Sequence, residues 1–306
     1  MRKLVLLCAS LCAMVSLFAA SPVRAQSVLW VASNGSDANN CAQTTPCATF
    51  QGAINKGSVA QVRCLTSGNY GPISITASLT IDCGTGNVGT VSITAPGNNA
   101  ININTSSAAT VTLRHLGLSG NNLGANGIAA GSFASGTLVI EDCTIQGFVG
   151  DGIFFTTTAG RGQLQVSDSQ IGNNDTGIIV QPGNQIATVT LNRIEVTGNS
   201  THGLVMDGGV VAGTMRDSVV GGNGQVGVFA FASQVFFTVE ESSIVANLTA
   251  GVQTDTAGSI VNVGASTIGA NGTGVLPTQG SIISFGNNQM SANGANGNFT
   301  STTALR

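Results

Sequence analysis

Lysine is almost missing from this chain: Lys3 and Lys56 are the only two, and Lys and Arg together number 10 against 13 Asp and Glu. Phosphate backbones are held by clustered cations, so this composition argues against nucleic acid as a partner. It also disfavours an acidic polysaccharide unless a metal bridges the like charges. Histidine is limited to two residues and no cysteine pair has zinc-finger spacing, so no motif supports a metal centre. Past residue 25 no apolar run approaches the ~20 residues that a membrane helix needs.

What the first residues do contain is Arg2 and Lys3, an apolar run from Leu4 to Ala20, and a small-residue close at Val23-Arg24-Ala25. That layout predicts a signal peptide over 1–25, cleaved before Gln26, and hence a secreted or periplasmic protein without a membrane span. Leu precedes both Cys8 and Cys12, where a lipoprotein site wants a small residue. The remaining 281 residues hold seven basic and thirteen acidic side chains and suffice for one large domain. Five cysteines would enter an oxidising compartment, where pairing is the rule. Cys41 and Cys47 close a short loop, and Cys64 and Cys83 end successive strand-like runs, so these two bridges are expected. Cys143 is left over as a small core side chain.

Glycine is abundant, at 42 residues, and much of it is periodic. A Gly followed mostly by an aliphatic residue recurs at Gly127, Gly152, Gly177, Gly203, Gly227, Gly251, Gly274 and Gly297, in steps of 23 to 26. Upstream of each lies an apolar pair five apart, from Leu113/Leu118 through Ile140/Ile145, Val166/Ile171, Leu191/Val196, Met215/Val220, Val239/Ile244 and Val263/Ile268 to Phe285/Met290. Three residues after each pair stands Asn121, Asn174, Asn199, Asn223, Asn247, Asn271 or Asn293, with Phe148 the exception. Asn tolerates left-handed backbone, and its amide can bond to the same amide in neighbouring repeats, so an internal asparagine ladder is expected.

Within each unit the apolar residues alternate with period 2, in runs rich in Val, Ile, Phe and Thr bounded by Gly and Asn. The chain therefore reads as all-β: a right-handed parallel β-helix whose coils stack at about 4.8 Å. Residues 26–60 should form an N-terminal strand, loop and short capping helix around Thr49–Lys56, and 61–110 wider irregular coils. Regular coils of 23–26 residues follow over 111–298, then a tail over 299–306.

The stretch Val31-Ala-Ser-Asn-Gly-Ser-Asp37, with Asn39, Pro46 and Thr49-Phe-Gln-Gly-Ala-Ile54, resembles the N-terminal signature of secreted bacterial β-helix proteins of the pectate-lyase-like superfamily. The resemblance implies the fold and says little about activity, because that superfold hosts lyases, hydrolases, epimerases, adhesins and proteins without a known reaction. Asn174-Asp175, Thr201-His202-Gly203 and Arg193-Ile194-Glu195 look loosely like polygalacturonase motifs, but their order is wrong and no Asp-Asp pair lies between them. A pectate-lyase Arg motif, an epimerase Asp-Pro-His-Glu pattern, nucleophilic triads and phosphate loops are absent as well.

Two columns of the repeat stand out. Two residues after the first apolar anchor come His115, Asp142, Asp168, Arg193, Asp217 and Glu241, and one residue after it Arg114, Glu141, Ser167, Asn192, Arg216 and Glu240. One reading pairs Asp142 with Asp168 at roughly the 5 Å of retaining glycosidases, with His115 beside them. A calcium site of hard oxygens is its variant. The favoured reading is a solvated edge in which Arg193 neutralises Asp168 and Asp217, and Arg216 neutralises Glu240. The second column, Phe154, Ile179, Val205 and Phe229, should face outward as an apolar stripe. It would meet a polysaccharide, a partner or a second copy of the chain, or else lie under the C-terminal tail or a turn segment. Together these features lead to a non-catalytic scaffold for adhesion or polysaccharide contact. A polysaccharide lyase or glycoside hydrolase using the charged edge is the alternative.

Overall fold

The computed structural model describes residues 27–84 and 86–303. The leader expected over 1–25 lies outside them. The described chain winds about one axis as a stack of parallel rungs, and the ladder registers are those of the repeat. Ile186–Asn192 pairs in parallel with Val210–Arg216, which pairs with Gln234–Glu240. Each rung therefore rests on residues about two dozen positions away, and the strand pattern alternates outward and inward as period 2 requires. Arg161–Ser167, for example, runs exposed, buried, exposed, buried along its length.

A typical coil has three sides. A long strand such as Ile186–Asn192 is followed by a bend at Arg193, a short strand Glu195–Thr197, a second bend at Gly198, and a third strand Leu204–Met206. The short strands from Gly68–Asn69 to Gln289–Ser291 form a separate ten-stranded sheet. The inward file Ile153, Ile178, Leu204, Val228, Val252 and Val275 is fully buried. Each such side chain contributes on the order of 1.5–3 kcal/mol.

The two narrow bends share one construction: a residue with left-handed backbone, then an inward polar side chain bonded to the next coil. At the second bend the left-handed positions are Asn173, Gly198, Gly222, Ala246, Ala270 and Ala292, each just before a ladder asparagine. The ladder itself is present. Asn199, Asn223 and Asn247 are buried, and each side-chain amide donates to the Oδ1 of the next, at 2.9 Å from Asn199 to Asn223 and 2.8 Å from Asn223 to Asn247. The chain thus keeps asparagine for its amide and not for its tolerance of left-handed φ, which the preceding residue supplies. Asn121 departs from the column: it is exposed, takes positive φ itself, and bonds downward to Ser92 and Ile93.

At the first bend the left-handed residues are His115, Asp142, Asp168, Arg193, Asp217, Glu241 and Ala265. The inward residues that follow form a second ladder, which the sequence did not announce. The Ile194, Ser218 and Ser242 backbone N–H groups each donate at 3.2 Å to Ser218, Ser242 and Ser266 Oγ in the coil above. Cys143 occupies this file, buried, with its thiol directed at the Glu141 carbonyl as the serines point at the carbonyl two residues back. Burial pushes that thiol up to about 12, which leaves it a neutral packing group.

The repeat glycine has a steric cause. A Cβ on Gly203 would lie 2.6 Å from the Gly227 carbonyl oxygen and 2.9 Å from the Asn223 amide, so only hydrogen fits between coils at the ladder. Gly297 is not the last of this column. Asn296 and Ala295 carbonyls accept from Val275 and Gly274, and Gly297 lies one residue beyond at φ 72°.

The N-terminal end of the described stack is covered by the chain itself. Ser27–Val31 is the first rung, against Val59–Cys64, and the helix Phe50–Ile54 plugs the core below it with Phe50 packed on Tyr70. Thr49 Oγ1 caps the helix by accepting from Gly52 N–H at 2.8 Å. Asp37 accepts from Ala48 N–H, Thr49 N–H and Thr49 Oγ1 at 2.8–3.0 Å. Burial raises the Asp37 carboxyl, but these bonds and the Lys56 charge outweigh it and hold the group below its ordinary value. At the other end Ser301–Thr302 pairs with Ile283–Ser284, so the described part of the tail forms a last partial rung on the long-strand side. The expected bridges Cys41–Cys47 and Cys64–Cys83 are both formed, with Cα separations of 4.7 and 4.5 Å.

Candidate functional site

The charged edge follows from the first bend. Stacking aligns Trp30, Arg63, Asp82, Arg114, Glu141, Ser167, Asn192, Arg216 and Glu240 in one outward file, rung by rung. Read upward, the charges alternate in sign wherever they occur, which is the arrangement that lowers Coulomb energy between neighbours about 4.8 Å apart. Arg114 Nε donates to Glu141 at 2.7 Å, and Arg216 pairs with Glu240. The second file, at the bend itself, holds Arg193 bidentate on Asp168 at 2.6 and 2.7 Å. That guanidinium holds the Asp168 carboxyl below the usual carboxylate range.

This geometry bears on the residues singled out from sequence. Asp142 and Asp168 occupy adjacent rungs, but both Asp168 oxygens are committed to Arg193, so the two do not stand as a free carboxylate pair. His115 lies between two acids: Nδ1 is 2.9 Å from Asp82 Oδ1, and Nε2 is 3.7 Å from Asp142 Oδ2. Asp82 was not visible as part of this edge, because the early coils are too irregular for the column phase to be extended back. Burial raises its carboxyl, while the Gly84 N–H and the His115 ring outweigh that and lower it. Glu241 is 3.8 Å from Arg216, and Asp217 has no ion pair among the described residues. Among the described residues His, Cys, Asp and Glu nowhere converge three at a time as a metal cluster requires.

The apolar column lies on the third side. Phe154, Ile179, Val205 and Phe229 are vertical neighbours, in register Phe154 to Ile179, Ile179 to Val205 and Val205 to Phe229. Three of them are half-buried and Val205 is 9 % exposed. Phe231 extends the patch at 46 % exposure, its ring centroid 5.5 Å from that of Phe229, and His202 stacks on Phe229 at 5.2 Å. His202 Nδ1 accepts the Val226 N–H, and burial lowers its pKa, so the ring is a neutral aromatic wall.

Carboxylates flank this stripe, and the sequence reading passed over them. Asp151 and Asp175 stand on one side, Asp207 and Asp255 on the other. Asp175 Oδ1 accepts from Ser200 Oγ at 2.9 Å and Asp207 Oδ2 from Gln181 Nε2 at 2.7 Å, which orients both groups. Asp151 is pushed up to about 6, first by burial and then by the charge of Asp175. They lie at three offsets from the repeat glycine, Asp151 one residue before it, Asp175 two before, and Asp207 and Asp255 four after, so no single column of the repeat displays them.

Residues 76–212 and 159–304 match the family described as the right-handed β-helix region. The chain belongs to the right-handed β-helix family. Among solved structures this β-helix is similar to the pectate lyase Pel9A, with 14 % identity and a TM-score of 0.68 over 92 % of this chain and 80 % of that one. It is also similar to the A-module of the mannuronan C-5 epimerase AlgE4 of Azotobacter vinelandii, with 13 % identity and a TM-score of 0.43 over 81 % and 91 %. A periplasmic alginate epimerase, AlgG, gives 14 % identity and a TM-score of 0.42 over 81 % and 73 %. At these identities the likeness is one of fold. No curated protein matches the chain.

Proposed function

We propose that this β-helix is a non-catalytic scaffold outside the cytoplasm that holds a polysaccharide against its third side. One observation carries the reading: Arg114, Arg193 and Arg216 on the charged edge are each paired with a carboxylate, whereas the apolar file keeps part of its surface exposed at Phe154, Ile179 and Phe229 and ends beside Phe231 at 46 % exposure. Apolar rows of this kind on a rigid, fully hydrogen-bonded sheet are contact surfaces. Two disulfides fit an oxidising compartment, and no helix among the described residues is long and apolar enough to cross a membrane.

A lyase or glycoside hydrolase is the second reading, favoured by His115 between Asp82 and Asp142 and by the adjacent recess lined by Trp30, Arg63 and Asp82. Purified protein mixed with a polysaccharide panel distinguishes the two, with retention on immobilised glycans, unsaturated-product absorbance and new reducing ends as readouts. Retention without product supports the scaffold. Turnover that is lost in Asp142→Asn overturns it in favour of the enzyme.

A further inference from the structure

The third side also says which glycan would suit it. From 150 to 157, 175 to 181, 201 to 207, 225 to 231 and 249 to 255 there is no Lys or Arg, while Asp151, Asp175, Asp207 and Asp255 all fall within these segments. The stripe of Phe154, Ile179, Val205 and Phe229 therefore runs between Asp175 on one side and Asp207 and Asp255 on the other with no Lys or Arg in these segments, while burial and the Asp175 charge make Asp151 the least charged of the four at mildly acidic pH. This contrasts with the charged edge, where acids and arginines alternate.

We propose that the occupant of this face is an amine-bearing glycan, a polymer of glucosamine units, lying along the stripe with its ammonium groups at the acidic margins. This rests on the scaffold reading and adds the charge of the ligand to it. Three features support the match. The apolar C–H face of a pyranose ring needs a flat apolar support, and four rungs at about 4.8 Å supply about 14 Å of it. Phe229 and Phe231 lie with ring centroids 5.5 Å apart at one end of the stripe, and aromatic rings attract a cation as well as C–H bonds. Asp175 and Asp207 are each oriented through one neutral donor, so their charge is not cancelled by a protein cation.

A basic peptide would find the same charges but not the same support. The strands here are hydrogen-bonded to the rungs above and below, so an extended peptide has no free edge to join. An acidic polysaccharide would be repelled by both margins.

The test is titration calorimetry of the full mature chain with a glucosamine hexamer at mildly acidic pH, beside its N-acetylated counterpart, a galacturonate oligomer and an oligolysine. The amine hexamer is expected to bind at least about tenfold more tightly than the N-acetylated one, with the affinity falling as salt is added. Asp175→Asn combined with Asp207→Asn should lose at least about tenfold for the amine hexamer and leave the weaker N-acetylated binding unchanged, which separates lost charge from lost fold. Equal binding of the two hexamers, tighter binding of galacturonate, or binding of oligolysine alone overturns the amine assignment. In the first two of these cases the scaffold reading survives, because a glycan is still held. Absence of binding to every glycan sinks both.

Discussion

Asn223→Ala is the substitution that most directly probes why this chain forms coils. Asn223 is fully buried, and its Oδ1 accepts from both the backbone N–H of Asn199 at 3.1 Å and the side-chain amide of Asn199 at 2.9 Å. Its own amide donates to Asn247 Oδ1 at 2.8 Å and to the Val196 carbonyl at 3.4 Å. Truncation removes the acceptor from two buried donors of Asn199, and each orphaned group costs about 1–3 kcal/mol. The total is about 2–6 kcal/mol. For a domain of this size that lowers Tm by roughly 4–24 °C, on the scaling of about 2–4 °C per kcal/mol. Asn121→Ala is the control, since it occupies the same repeat position but is exposed. Far-UV circular dichroism melts report the difference, and hydrogen exchange should show faster opening in the coils around 196–200 and 220–224 because solenoid stability is local. Equal Tm losses for the two substitutions would refute the claim that buried amide stacking, and not turn propensity, retains asparagine here.

Two further outcomes follow from the carboxylates. Asp151 is raised to about 6 in the folded chain from 3.8, so the folded state favours its neutral form. Its effect on stability is nil below about pH 4, grows unfavourable between 4 and 6, and is constant above. Asp151→Asn should therefore match the parent near pH 4 and melt higher above pH 6; a gain of the same size at every pH would refute the burial argument. Arg193→Ala should leave Tm nearly unchanged, since the pair is at the surface, yet move the Asp168 titration upward in carboxyl NMR as the cation that lowers it is removed. An unmoved Asp168 would mean that the bidentate pair does not persist in solution.

The fold was legible because a coil repeats its steric demands. Glycine recurs where the next carbonyl leaves room for hydrogen alone, and asparagine where an amide must meet its copy, so both survive as columns in the bare sequence. The serine file was hidden: its members are Ser169, Ser218, Ser242 and Ser266, broken by Cys143 and Ile194, and serine is common at any bend. Asn121 and Gly297 were misplaced because they keep the repeat spacing at the margins of the regular stack, where the neighbouring coil differs. As for the candidate site, spacing gave the charged edge but not its pairings, which depend on side-chain reach. The acids beside the stripe fall on three different offsets from the glycine, so no single column displayed them. Only stacking brings Asp151 within range of Asp175.

The charged edge raises a question that stability alone does not answer. Asp142, Asp168, Arg193, Asp217 and Glu241 all stand at φ near 50°, where glycine is unhindered and other L-residues cost about 1–2 kcal/mol. Their ion pairs are exposed and return little of this. What charge does supply at such posts is discrimination. Two of the three sides of a β-helix present sheet faces, and the charged side chains along their shared corner would have to be desolvated for a second stack to lie against it, whatever their sign. The third side carries no cation and keeps its apolar stripe between acids. On the proposed function, one face is left for the glycan beside a charged corner, and the left-handed posts are the local cost of that asymmetry.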